Sequence, residues 1–454
     1  MPALEGMRAC AALGVVATHV ALQTGTTHGL IGPLLIRLDL AVAVFFALSG
    51  FLLWRSHAVA ARGMRPAPRA APYLRSRLVR ILPAYLLTVV VVLALLPDAH
   101  AAGRSVWLAN LTLTQVYVPR TLYAGLSQMW SLSVEMSFYL ALPLLAWAAA
   151  RLPVRARVPV ISMVALASLG WGYLPIPTTN GANPLNWAPA YTAWFAIGML
   201  LAEWTCRPLG WLHRLARRRA LMLAVALAAY LMAASPLVVP PVHRHATVEQ
   251  FIIRTLLGAV IAGCLLAPLV LDRPEVRHKI LGSTSMAALG RWSYGLFLWH
   301  LAALDTALAL LSRPASTGGF PVVFVLTVVF GSTIAAVSYA LVEEPCRLAL
   351  RRWEIRRRLA TDASALPVQE PVQGGLDQLL DDGLAIGRLG AEEARSHGDH
   401  ADDHGNGRVR GQRRLGRAHA AQLDALRADP PQGGQRGADA GDAGGAAFVV
   451  GEVL

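Results

Sequence analysis

Two ionisable side chains lie within stretches of the sequence that are otherwise apolar. Glu135 lies in WSLSVEMSFYLALPLLAWAAA, residues 130–150, and His19 lies in a run that begins at the N-terminus. A titratable group in an apolar span must be paired, neutralised or used, so both residues are candidates for chemistry. A structural hydrogen bond to a neighbouring helix remains an alternative for each of them.

The spacing around Glu135 adds polar neighbours on one face of a helix. Ser131, Glu135 and Tyr139 are four residues apart, so a helix places them on one side, with Trp130 close by. This pattern predicts a polar stripe along an apolar helix. Ser131, Tyr139 and Trp130 are therefore candidates for the lining of a cavity.

Arginines accompany these residues at the ends of apolar runs. Ten residues separate Arg8 from His19, which puts the imidazole about 16 Å deeper along a helix. Arg77 and Arg80, just before Pro83, are three residues apart and share one helix face at the membrane surface. Such a pair binds lipid headgroups or clamps a phosphorylated ligand bidentately, and the spacing alone does not decide between them.

The composition indicates an all-α polytopic membrane protein. Of the 454 residues, 55% are hydrophobic and only 15% are charged, which is too apolar for a soluble chain of this size. The formal charge of +14 comes from arginines clustered between apolar runs. That distribution indicates membrane topology and argues against nucleic-acid binding. The four cysteines have no CxxC spacing, so free thiols and no metal site are expected.

About ten membrane spans are predicted from the apolar runs. The first begins at the N-terminus, and the others lie at about 38–54, 83–97, 130–150, 158–174, 188–204, 220–238, 251–271, 293–312 and 321–342. The basic loops alternate with weakly charged ones, which puts both termini in the cytoplasm of a plasma-membrane protein. Residues 1–361 form the membrane domain. Residues 362–454 lack Trp and Tyr and are expected to be a disordered cytoplasmic tail.

Two further spans carry polar residues that have both a structural and a functional interpretation. In the second span, Ser49 and Gly50 favour a small-residue packing notch over a nucleophilic serine. In the ninth, Trp299 and His300 are an interfacial anchor or part of a cavity, with the structural role slightly favoured. Ser49 and His300 are retained as candidate cavity-lining residues.

Six stretches, in this order, resemble the acyltransferase 3 family of integral-membrane O-acyltransferases. They read LEGMRACAALGVVATH, VFFALSGFLL, SRLVRILPAYLL, WSLSVEMSFYLALPLL, SYGLFLWH and LVEEPCRL. The resemblance covers about residues 3–350 and implies a ten-helix core. It also implies an acyl-CoA donor on the cytoplasmic side and a hydroxyl acceptor on a glycan, lipid or secondary metabolite. The chain departs from the family at Ala41 to Ala43, where Gly-Val-Asp is common, and after His300, where Pro is common.

Matched to the family motifs, His19 and Glu135 are the implied catalytic residues, and Arg8, Arg77 and Arg80 are the implied acyl-CoA contacts. A neutral imidazole at His19 suits a general base, with Glu135 to orient it. No tightly bound cofactor is expected, and O-acetylation of a cell-envelope carbohydrate is the expected type of reaction. A transporter or flippase of a polar or lipid-linked substrate is the main alternative. An acyltransferase-like protein that only binds or senses is a third.

Overall fold

The described residues fold into helices joined by turns and loops. This computed structural model describes residues 1–96, 102–123, 125–178, 182–236, 238, 247–272, 278–312 and 316–365, and these ranges contain no β-strand. Residues Met1–Arg356 form one compact unit. The all-α class predicted from the sequence is confirmed for this part of the chain.

Fourteen α-helices follow one another along the described ranges. They are α1 (Pro2–Gln23), α2 (Gly32–Arg37), α3 (Ala41–Ala60), α4 (Ala70–Leu95), α5 (Arg104–Leu111), α6 (Trp130–Ala150), α7 (Val154–Ser168), α8 (Thr192–Thr205), α9 (Trp211–Arg217), α10 (Arg219–Ala233), α11 (Val248–Val270), α12 (Thr284–Leu310), α13 (Phe320–Ser338) and α14 (Glu344–Ala365). A π-helical turn, Tyr339–Glu343, joins α13 to α14.

Local sequence accounts for where several helices begin. The side chain of Thr247 accepts a hydrogen bond from the backbone of Gln250, and the Gln250 side chain accepts one from the backbone of Thr247. This capping box starts α11. Helix α13 starts after Gly319, whose φ of +83° suits glycine, with Pro321 in the first turn. Asn183 caps the short 3₁₀ turn that precedes α8.

Seven helical segments of the described part are long and apolar enough to cross a membrane. They are Gly32–Ala60, Ala70–Leu95, Ser127–Ala150, Val154–Tyr173, Val248–Val270, Thr284–Leu310 and Phe320–Arg357. The other three predicted spans coincide with α1, α8 and α10. Helix α8 has 14 residues and α10 has 15, and α1 carries Glu5 and Arg8. The helical membrane class is therefore confirmed, and the count of ten spans stays a prediction.

The centre of the bundle is formed by α1, α3, α8 and α12. Helix α1 packs along α12, and α3 packs along α8. A Cβ at Gly50 would lie 2.1 Å from the carbonyl oxygen of Phe195, and one at Gly198 would lie 1.9 Å from that of Ala47. Only glycine permits this approach of the two backbones, so the packing notch predicted at Gly50 is confirmed.

Helix α14 includes the first four residues of the predicted tail, 362–365, and ends at Ala365. The remaining residues of the segment predicted to be disordered, 366–454, lie outside the described part of the chain. The prediction for them is untested.

Candidate functional site

His19 and His300 face each other across the contact between α1 and α12. Their ring centroids are 4.9 Å apart, with an interplanar angle of 63°. Nδ1 of His19 lies 3.4 Å from Nε2 of His300 and 2.9 Å from the carbonyl oxygen of Val15. His300 is fully buried. The predicted base and a predicted cavity residue are thus neighbours, although they are 281 positions apart in the sequence.

The hydrogen bonds of this pair assign the protons on both rings. A carbonyl oxygen only accepts, so Nδ1 of His300, 2.7 Å from the Phe297 carbonyl, carries the proton in the neutral ring. By the same argument Nδ1 of His19 carries its proton and donates it to Val15. Nε2 of His19 is left as the acceptor. It is buried and has no hydrogen-bond partner among the described residues.

Glu135 is held by two hydroxyl groups rather than by a cation. The hydroxyl of Tyr139, one turn further along α6, donates to Oε1 of Glu135 at 2.6 Å. The hydroxyl of Ser49 on α3 donates to the same oxygen and lies 3.2 Å from the Tyr139 hydroxyl. The predicted shared face of Glu135 and Tyr139 therefore exists, and Ser49 completes it from another helix. We call these three residues the carboxylate cluster.

The expected pairing of Glu135 with His19 is absent from the described residues. Nδ1 of His19 contacts Val15 and His300, whereas the hydrogen bonds of Glu135 go to Ser49 and Tyr139. The carboxylate that acts electrostatically on His19 is Asp39. No hydrogen bond joins Glu135 to His19 in the described residues, since the partners of each group lie on different helices, and the orienting role of Glu135 stays a prediction.

Arg77 and Arg80 lie on α4 beside the carboxylate cluster, and both are half-buried. Arg77 interacts electrostatically with Tyr139 and Glu135, and its Nε atom is buried without a hydrogen-bond partner among the described residues. Arg80 interacts electrostatically with Glu343. The predicted pair is thus near one of the predicted catalytic residues, and Arg77 has a guanidinium nitrogen without a hydrogen-bond partner in the described part of the chain.

The remaining predicted residues have local partners. Arg8 forms an ion pair with Glu5 on its own helix, with 3.0 Å between Nη1 and Oε1. Ser131 donates to the carbonyl oxygen of Gln128 at 3.3 Å and so leaves the predicted polar stripe. Trp130 packs on Tyr191, with ring centroids 4.9 Å apart. Its neighbours make it part of an aromatic cluster.

Two buried ionic networks were not foreseen from the sequence. In one, Oδ2 of Asp39 lies 2.6 Å from Nη2 of Arg254 and 3.5 Å from Nη1 of Arg37. In the other, Glu203 is ion-paired with Arg62 and Arg157. An available signal was the same one that singled out Glu135, since both acids lie in or beside apolar runs.

Within the described ranges, no group of three or more His, Cys, Asp or Glu side chains could hold a metal ion.

Comparisons with known proteins point to one activity class. A family model described as an acyltransferase domain matches residues 1–340. A protein of Streptomyces mycarofaciens named acyltransferase MdmB is 27% identical over 384 residues, which cover 80% of this chain and 94% of that protein. Nodulation protein 10 of Rhizobium leguminosarum bv. viciae is 28% identical over 354 residues, 70% of this chain and 84% of that protein. No solved structure matches significantly.

Proposed function

The chain belongs to the acyltransferase 3 family, and from that premise we propose that it is an integral-membrane O-acyltransferase. It would move an acyl group, with acetyl the expected one, from acyl-CoA to a hydroxyl of a carbohydrate, glycolipid or similar acceptor. The observation that carries this proposal is the ring of His19. Its Nε2 is a buried acceptor with no partner among the described residues, and Nδ1–H is fixed by Val15.

The proposed reaction needs one proton acceptor. Nε2 of His19 takes the proton of the acceptor hydroxyl while that oxygen attacks the thioester carbonyl. The tetrahedral intermediate then collapses, the carbon–sulfur bond breaks, and the proton passes from His19 to the departing thiolate. The products are an ester and free CoA, and the histidine returns to its neutral state.

His300 is a positioning residue in this scheme. Its Nε2 is the unprotonated nitrogen, because Nδ1 donates to Phe297. It therefore faces Nδ1–H of His19 as a second acceptor, 3.4 Å away, in addition to Val15. Both acceptors favour the His19 tautomer with a free Nε2. Asp39 adds a negative charge that favours the imidazolium formed during proton transfer.

Arg77 and Arg80 bind the diphosphate of the donor in this proposal. Guanidinium groups match phosphate oxygens bidentately, and Nε of Arg77 lacks a partner in the described part of the chain. Glu135 then has a role at the donor rather than at His19. Its charge faces Arg77, and its hydrogen bonds fix Tyr139 and Ser49. Arg8, paired with Glu5, would hold the donor or the helix end at the same mouth.

The proposed topology has ten spans, with α1, α8 and α10 added to the seven long apolar segments. Both termini are then cytoplasmic, and Arg77 and Arg80 open toward the compartment that contains acyl-CoA. The membrane is the plasma membrane. A reporter that works only in the cytoplasm should be active when it is fused after Cys346. Activity at that position of a reporter that works only outside the cytoplasm would contradict this orientation.

The test of the activity is radiolabelled transfer from acetyl-CoA into the lipid and glycan fractions of membranes that contain the full chain. His19→Ala should lower transfer at saturating acetyl-CoA on the order of 10²-fold or more. The matched control is His28→Ala, because His28 is exposed in the loop after α1. Near-normal turnover in His19→Ala would make the histidine structural. Movement of a substrate across the membrane without acyl transfer by the wild type would favour a transporter instead.

A further inference from the structure

A cavity beside the start of α14 carries two arginines to which no role has been assigned. Its volume is about 170 Å³, and its lining residues are Tyr339, Glu344, Arg347, Leu348 and Arg351. One water needs about 10–15 Å³ of such space, so this volume is more than large enough for a phosphate group. We call it the α14 cavity.

The two arginines of the α14 cavity differ in how they are held. Arg347 is half-buried, and its Nη1 lies 3.4 Å from the Tyr339 hydroxyl, whereas Arg351 is exposed one turn further along the helix. Spaced four residues apart, they share one helix face. Glu344 offsets one of the two charges, which leaves the lining with a single net positive charge. An anion of limited size fits this lining better than a cation.

The α14 cavity adjoins the arginine pair of α4. Glu343 is buried in the π-helical turn and interacts electrostatically with Arg80 on one side and Arg347 on the other. Arg75 of α4 fixes the two helices together. Its Nη2 lies 3.0 Å from Oε1 of Glu354, and its guanidinium lies 4.3 Å from the ring centroid of Trp353. Two arginine pairs therefore belong to one side of the bundle, with Glu343 between them.

We infer that the α14 cavity binds the 3′-phosphate on the ribose of the acyl-CoA donor, an inference that rests on the proposed function. Coenzyme A carries its phosphates in two separate groups, a diphosphate in the chain and a phosphomonoester on the ribose. Two separate arginine pairs match these two groups, with Arg77 and Arg80 on the diphosphate. Arg347 and Arg351 supply charge-assisted hydrogen bonds to the phosphomonoester.

A lipid headgroup offers the same chemistry, since arginines at the cytoplasmic end of a membrane helix also bind phospholipid phosphates. The two sources differ in what removal of the 3′-phosphate does. A site for the donor distinguishes CoA from 3′-dephospho-CoA. A site for lipid treats both nucleotides alike and depends on the charge of the bilayer.

The experiment measures the affinities of CoA and 3′-dephospho-CoA for the purified full chain, in detergent and in phosphatidylcholine vesicles with and without phosphatidylglycerol. Wild type should bind CoA on the order of tenfold more tightly than 3′-dephospho-CoA. In the double variant Arg347→Gln with Arg351→Gln, the ratio should fall to about one, because only CoA loses affinity. The control is Arg352→Gln with Arg356→Gln, which removes the same charge from exposed positions outside the cavity lining and should keep the ratio.

Three results would overturn the inference while the proposed function stands. They are equal affinities of wild type for the two nucleotides, an unchanged ratio in the cavity variant, or a loss that affects both nucleotides and appears only with phosphatidylglycerol. If wild type binds neither nucleotide, the proposed donor itself is wrong. Arg351→Gln alone, at an exposed position, should lower the ratio partway, so the test survives poor folding of the double variant.

Discussion

Two carboxylates occur inside the helical bundle in contrasting surroundings. Glu203 on α8 is fully buried and surrounded by cationic and N–H donors, whereas Glu135 on α6 is half-buried and held by hydroxyls. Both satisfy the rule that an intramembrane acid needs partners. The two acids differ in the kind of partner. Glu203 forms ion pairs that hold helices together, whereas Glu135 accepts from hydroxyls and forms no ion pair with the arginines near it in the described residues.

Glu203 joins three helices through ion pairs with two arginines. Its Oε2 lies 2.9 Å from Nη1 of Arg62, just after α3, and its Oε1 lies 3.3 Å from Nε of Arg157 on α7. The indole N–H of Trp54 donates to Oε1 at 2.8 Å. Both guanidinium groups thus have the carboxylate as their counter-charge, although Nε of Arg157 and Oε2 of Glu203 form no hydrogen bond within the described residues. Such a network stabilises the arrangement of α3, α7 and α8, and both of its cations are ion-paired.

Glu135 shares no direct ion pair with the cation beside it in the described structure. Its charge faces Arg77, but its hydrogen bonds go to Ser49 and Tyr139. Arg77 keeps an unpartnered Nε atom within the described part of the chain. The contrast shows that a carboxylate whose hydrogen bonds come from hydroxyls leaves a nearby arginine without an ion pair. Such an arginine can bind a phosphate.

The largest expected effect is that of Glu203→Gln on stability. The amide removes the negative charge and leaves two buried guanidinium groups without a counter-charge, which costs about 3–5 kcal/mol. Thermal unfolding of the detergent-solubilised protein should show a large fall in midpoint, together with a poor yield of folded protein.

The control for this variant is Glu249→Gln, the same chemical change at a carboxylate that accepts a hydrogen bond from the Tyr173 hydroxyl at the surface. Its unfolding midpoint should match the wild type. If Glu203→Gln and Glu249→Gln had equal midpoints, the ionic network would have no stabilising role, and the contrast with Glu135 would fail.

Glu135→Gln should reverse the pattern, with folding retained and transfer reduced. Glutamine keeps the size of the side chain and an oxygen that accepts from Ser49 and Tyr139, so the unfolding midpoint should change little. Loss of the charge removes the electrostatic interaction of Glu135 with Arg77, which should weaken the proposed contact of Arg77 with the donor diphosphate. Kinetics on purified protein should show a KM for acetyl-CoA raised on the order of tenfold, with little change in kcat. A KM and a kcat equal to those of the wild type would make Glu135 structural, like Glu203.

Much of the helix pattern followed from the sequence, since each predicted span coincides with a helix. The limits of the spans were harder to predict. Helix α8 has only 14 residues, because Pro184 and Pro189 lie in 3₁₀ turns just before it. Helix α4 begins at Ala70, so Arg77 and Arg80 lie within a helix that starts well before the predicted span. Apolarity locates the membrane segment of a helix but not its polar extension.

Within the candidate site, relations along one helix were predictable and relations between helices were not. The Glu135–Tyr139 bond follows from spacing of four residues. The meeting of His19 with His300, and that of Trp54 with Glu203, joins residues 281 and 149 positions apart and depends on which helices pack together. No spacing rule carries that information. For the same reason the sequence did not indicate the contact of His19 with His300 or its electrostatic interaction with Asp39.

The smallest expected effects test whether the functional group of residues is the predicted polar stripe or the observed carboxylate cluster. Tyr139→Phe removes a 2.6 Å hydrogen bond to Glu135, and a bond to a charged group is worth about 1.5–3 kcal/mol. Transfer should therefore fall on the order of tenfold. Ser131→Ala removes only a 3.3 Å bond to the Gln128 carbonyl, so transfer should stay within about twofold of wild type. Both variants need the same assay with acetyl-CoA below its KM. A Ser131→Ala defect as large as that of Tyr139→Phe would restore the continuous stripe that helical spacing predicted, and would mean that Ser131 turns toward Glu135 when substrate binds.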